Sequence, residues 1–175
     1  QGIDAEDDAL HIIAQKADGA MRDALSIFDR VVSYSGNSLT REAVSKNLNV
    51  LDYDVFFKST SLILENKIPE LLVYFDEILK NGFDGQHYIA GLASHFRDLM
   101  VCKNPQTIPL LEVGETAKLM YQEQSQKCAL GFLKESIIIA NNCDLNYKLS
   151  KNQRLLVELS LMQLASVTFD GAKKK

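Results

Sequence analysis

The stretch GAMRDALSIFDR, residues 19–30, sets an arginine, Arg22, in the first turn of an expected helix. A helix N-terminus carries partial positive charge, so a cation there costs roughly 0.3–1 kcal/mol unless an anion offsets it. The same terminus offers free N–H groups to an anion. A phosphate on the guanidinium gives a charge-assisted bond worth roughly 1.5–3 kcal/mol, which outweighs the dipole cost. Gly19, just before, would let backbone come close to such a ligand. The plain alternative is a surface arginine paired with Asp18 or Ser26. In the first reading the phosphate must be held by something else, because the sequence has no glycine-rich loop to cradle one.

Other chemistry-bearing residues point nowhere specific. His11, His87 and His95 show no H-E-x-x-H and no metal-ligand spacing, so each is expected to be solvated or partly buried rather than a ligand. Cys102, Cys128 and Cys143 are odd in number, far apart and without a C-x-x-C pair. That excludes a disulfide framework or a zinc site and fits a reducing, cytoplasmic compartment. Each cysteine lies in an apolar helical stretch and reads as a small buried hydrophobe. Asp7/Asp8 and Asp76/Glu77 are adjacent residues, which on a helix point about 100° apart and share no site. There is no G-x-S-x-G and no G-x-x-x-x-G-K-[ST]. No catalytic residue, no metal ligand and no independent enzyme are expected from this chain.

The 175 residues carry a formal net charge of -4. Nonspecific binding to nucleic acid or a membrane surface needs a basic excess, which is absent. The basic run Lys173, Lys174, Lys175 reads as a solvated tail or the start of a linker. No apolar run approaches the length of a membrane span, and none resembles a signal peptide. The sequence begins with Gln1 rather than Met, as expected of a piece of a longer protein.

The elements that must position Arg22 are helices. Leu10, Ile13, Ala14 and Ala17 recur at helical spacing. Asp18 is the expected N-cap of the next helix, with Met21, Ala24, Leu25, Phe28 and Val32 on its packed stripe. Thr40 is expected to cap a short third helix through about Leu48. From Asp52 the helices lengthen, over about 53–66, 68–81, 85–103, 114–125, 127–146 and 150–168. Val55, Leu62, Leu71, Leu72, Phe75, Ile78, Leu79, Leu92 and Phe96 are the expected bundle core, and LLVELSLMQLA at 155–165 reads as a central helix. No strand is predicted, for no segment alternates with period two. The expectation is an all-α chain: a three-helix unit at 1–50, a helical bundle at 51–170, and a tail at 171–175.

The tract ADGAMRDALSIFDR, residues 17–30, resembles the sensor-2 segment of the lid in bacterial clamp-loader ATPases, especially the gamma/tau subunits of DNA polymerase III. That family commonly has serine where Ala20 stands. GIDAEDDALHIIAQKA before it is similar to the family's first lid helix, and LTREAVSKNLNVLD, residues 39–52, to its lid exit. LILENKIPELLVYFDEILKNGFD looks like the start of the collar; beyond Gly85 only the pattern matches.

The resemblance implies an AAA+ lid followed by a collar domain, without the nucleotide-holding core. It makes Arg22 the sensor-2 arginine, contacting ATP phosphates held by that core, and lets Met21 pack on the nucleotide. ATP, with magnesium, would then be a cofactor of the full-length ATPase only, and no residue here would be its arginine finger. Implied partners are other clamp-loader subunits through the collar (self copies, delta and delta prime), and the sliding clamp and primed DNA through the whole complex. Two alternatives stand beside it: an all-α adaptor or scaffold with no nucleotide role, and the lid and collar of another AAA+ replication-restart protein.

Overall fold

The computed structural model describes residues 2–36 and 38–172. Asp7 and Asp8 open the first helix, α1 (Asp7–Lys16), where acids suit the free N–H groups. Its buried residues are Ala9 and Ile13, followed by Ala17, while Leu10 is left exposed. The packed face keeps Ile13 and Ala17 of the expected stripe but takes Ala9 in place of Leu10 and Ala14, so alanines point inward and a neighbouring helix can come close.

Asp18 does not cap the next helix. It adopts a left-handed backbone (φ 48°) and, with Gly19 (φ 78°), makes the turn that ends α1. The following helix, α2 (Met21–Ser35), starts from Ala20, which supplies no side-chain cap. Its buried residue is Val31, with Ile27, Phe28 and Val32 partly buried against the same cluster. Met21 and Leu25, expected inside, are 75% and 58% exposed. A unit this small encloses one flank of the helix, and that flank is centred on Ile27 and Val31 rather than on the Met21–Leu25 line.

Thr40 does cap the third helix, α3 (Arg41–Leu48): its hydroxyl accepts from Ala43 N–H at 3.2 Å. Glu6 adds a second cap, its Oε2 accepting from Arg41 N–H at 2.7 Å. Arg41 also pairs with Asp52 at 2.9 Å. A two-residue parallel pair, β1 (Asp4–Ala5) with β2 (Ser38–Leu39), corrects the expectation of no strand. Two residues cannot show alternation, so nothing in the sequence could announce it. The pair places Leu39 in the same core as Ala9, Ile13, Val31, Val44 and Leu48.

The remaining helices are α4 (Tyr53–Leu64), α5 (Ile68–Lys80), α6 (Gly85–Val101), α7 (Glu115–Lys127), α8 (Leu130–Tyr147) and α9 (Gln153–Ala172). Their ends follow local rules. Asn66 turns left-handed after α4 (φ 55°). Asp84 caps α6, accepting from His87 N–H at 3.0 Å. Asn152 accepts from Leu155 N–H at 3.0 Å, which is why α9 begins at Gln153. Of the expected bundle core, Leu71, Phe75, Ile78, Leu92 and Phe96 are buried, whereas Val55, Leu62, Leu72 and Leu79 are only half-buried; α9 touches α4, α5, α6 and α8. Gly91 on α6 is crossed by Phe56: a Cβ there would overlap the ring.

The chain forms two compact units, Gln1–Asp52 with Glu112–Leu119, and Tyr53–Leu111 with Met120–Lys175. Lys173, Lys174 and Lys175, read from the sequence as a tail, lie outside the described residues. Among the described residues no helix is long and apolar enough to cross a membrane.

Candidate functional site

The start of α2 is built by the turn before it. Asp18 and Gly19 reverse the chain, and Ala20 N–H donates back to Ala17 O at 2.9 Å. Ala20 is extended (φ -87°, ψ 107°), and the first intrahelical bond is Ala24 N–H to Ala20 O at 2.9 Å. The N–H groups of Met21, Arg22 and Asp23 therefore have no partner within the helix.

Arg22 is exposed in this first turn. Neither partner of the plain reading engages it. No ion pair joins Asp18 to the guanidinium among the described residues, and the Ser26 hydroxyl donates to the Arg22 backbone carbonyl at 3.0 Å. Among the described residues the guanidinium has no ion-pair or hydrogen-bond partner. Met21 and Leu25 stand four apart, so they share one face as an exposed apolar strip. The arrangement can accept an anion at Arg22 and the bare amides, and lay an apolar group along Met21 and Leu25.

The other candidates fall into place as structure. His11 is exposed, its Nδ1 bonded to Asp7 O at 3.0 Å, and His87 is exposed beside Asp84. Cys128 and Cys143 are buried and Cys102 half-buried. Burial pushes the Cys128 thiol up to about 11. Among the described residues no group of His, Cys, Asp and Glu could hold a metal ion.

His95 is different, and its role was not legible from spacing. It is buried on α6, with Gln124 Oε1 at 2.8 Å from Nε2 and the Tyr121 hydroxyl at 3.1 Å from Nδ1. Gln124 Nε2 donates to Phe57 O at 2.9 Å and Ser61 Oγ at 3.2 Å. With its amide nitrogen so engaged, Gln124 presents oxygen to the ring, so Nε2 carries the proton and Nδ1 accepts from Tyr121. Burial holds His95 neutral, lowering its pKa to about 4. Three residues on two helices make this network, and its only sequence trace is a histidine between the core positions Leu92 and Phe96.

Residues 1–37 match the family described as DNA polymerase III clamp loader subunit, ATPase lid domain. Over 173 residues, 97% of the chain, the sequence is 28% identical to DNA polymerase III subunit tau of Bacillus subtilis. The chain is similar to clamp-loader subunits of DNA polymerase III. It spans 30% of the length of that tau subunit. Protein STICHEL-like 2 of Arabidopsis thaliana is also similar, 23% identical over 95% of the chain and 19% of its own length. In fold, the chain superposes on the DNA clamp loader delta protein of Bacillus subtilis with a TM-score of 0.58, at 19% identity, over 94% of this chain and 52% of that one. The first turn of α2, with Arg22, lies inside the lid match.

Proposed function

We propose that the chain is the lid and collar part of a clamp-loader ATPase subunit, and that Arg22 is its nucleotide sensor. The single observation that carries this is an unpartnered arginine on an uncapped helix start, within a segment that matches clamp-loader lids. In this reading a separate core domain holds ATP, and Arg22 and the α2 amides reach its phosphates. Met21 packs against the nucleotide. These residues fit a phosphate; magnesium would be held by the core. The guanidinium ties the lid to the phosphate charge, so a nucleotide that presents more charge holds the lid closed more firmly.

The second unit would serve as the collar, joining self copies and the delta and delta prime subunits. Leu145, Leu149, Leu155, Leu159 and Phe169 support this, for all are large apolar side chains left exposed. Lid motion would then change the shape of the assembly that loads a sliding clamp on primed DNA.

The test is Arg22→Ala in the full-length ATPase subunit. Loss of a charge-assisted bond predicts a fall of roughly 10- to 100-fold in ATP-dependent clamp loading, with the melting curve unchanged. Loading at the wild-type rate would return Arg22 to the surface and favour the adaptor reading. The likeness to STICHEL-like 2 bears on that second reading, since a matching region occurs in a protein of different name.

A further inference from the structure

The first unit is not continuous in sequence, and the way its distant piece is held suggests a device. Residues 112–119 belong to it together with the first 52. Gln15, near the end of α1, donates from Nε2 to Glu112 O at 3.3 Å. In the first turn of α1, the Asp8 carboxylate occupies the space a side chain would need at Gly114: an ideal Cβ there would overlap Oδ1. Gly114 immediately precedes α7 and accepts from Lys118 N–H at 3.0 Å. The carboxylate thus lies at the amino end of α7, where unpaired N–H groups favour an anion. Gly114 and Ala117 are buried.

We propose that residues 112–119 are a strap, fastened to α1 by Asp8 and Gln15, which can release while the rest of the chain stays folded. The Gln15 bond is exposed and Asp8 is half-buried, so opening exchanges these polar contacts for hydration and uncovers little apolar side chain beyond Ala117. Glycine at 114 is what admits the carboxylate. The strap also joins the first unit to the rest of the chain at both its ends, in addition to Asp52–Tyr53. Its use rests on the clamp-loader reading: there, a strap that holds or lets go sets how freely the lid moves. Its existence does not rest on that reading.

Hydrogen exchange on the whole 175-residue chain tests it, with each substitution read out in the segment it does not belong to. Gly114→Ala displaces the carboxylate without demanding a new backbone conformation, and should speed exchange of the α1 amides roughly 3- to 10-fold. Asp8→Ala should do the same for Lys118 and Leu119, the first hydrogen-bonded amides of α7, and so should Gln15→Ala, which leaves both helix starts intact. Amides of 85–101 should keep wild-type rates. In the double variant D8A/G114A the increase should fall short of the product of the two singles, because both act on the Asp8–Gly114 contact. Wild-type exchange in the opposite segment, or single effects that multiply in the double, would overturn the strap. The assay involves neither nucleotide nor Arg22, so its failure would leave the proposed function standing.

Discussion

Acid should loosen the second unit through His95, and the size of the effect follows from its setting. The ring is buried among Phe56, Phe57, Phe96 and Tyr121, and both nitrogens are committed in the neutral form. Protonation would put a second donor on Nδ1, facing a tyrosine hydroxyl that now donates to it. Folded, the pKa is about 4; unfolded, it returns to the ordinary 6.5. Between those values the unfolded state binds the extra proton, so stability rises with pH. The contribution is complete above about pH 6.5 and lost progressively as pH falls toward 4. Integrated from pH 7 to pH 5, His95 alone should cost about 2 kcal/mol. Urea unfolding at the two pH values, for wild type and for His95→Gln, isolates this from titrating carboxylates. The stability gap between the proteins should move by that amount in favour of the variant at pH 5. A gap independent of pH would refute the neutral, buried histidine.

Other outcomes follow from single contacts. Gly91→Ala should lower stability by about 1–3 kcal/mol, because the new methyl meets the Phe56 ring, and Phe56→Leu added to it should recover part of the loss in the same urea titration. Thr40→Ala should cost about 1 kcal/mol, seen as faster hydrogen exchange in α3 with 85–101 unchanged. Burial raises the thiols of Cys128, to about 11, and of Cys143, so near neutral pH the folded protein should alkylate at the half-buried Cys102 first. Mass mapping after brief iodoacetamide treatment reads this directly; early labelling at Cys128 would contradict it.

Much of the scaffold was written locally. Helical periodicity, Asp84 before α6, Thr40 before α3 and the break around Asp18–Gly19 are short-range features, and short-range energetics decide them. The exposure of Arg22 could be anticipated because its neighbours on the wheel, Ser26 and Asp29, are polar. The opposite flank could not. Periodicity says that Met21, Leu25 and Phe28 share a face, but not whether a partner covers it. Only the arrangement of α1 and α3 decided that Ile27 and Val31 go inward and Met21 and Leu25 do not.

By itself, then, the sequence determined an all-α chain and an arginine at a helix start, within a tract that resembles clamp-loader lids. Each depends on residues within a turn or two of one another. Tertiary structure alone decided that the Leu10 flank of α1 yields to Ala9, and that a strand pair too short to alternate holds Leu39 in the core. It alone joined His95 to Tyr121 and Gln124, and set Gly114 against Asp8. These depend on groups far apart in sequence meeting at hydrogen-bond or van der Waals distance. No local pattern encodes such a meeting, because it is the packing of whole helices that brings it about.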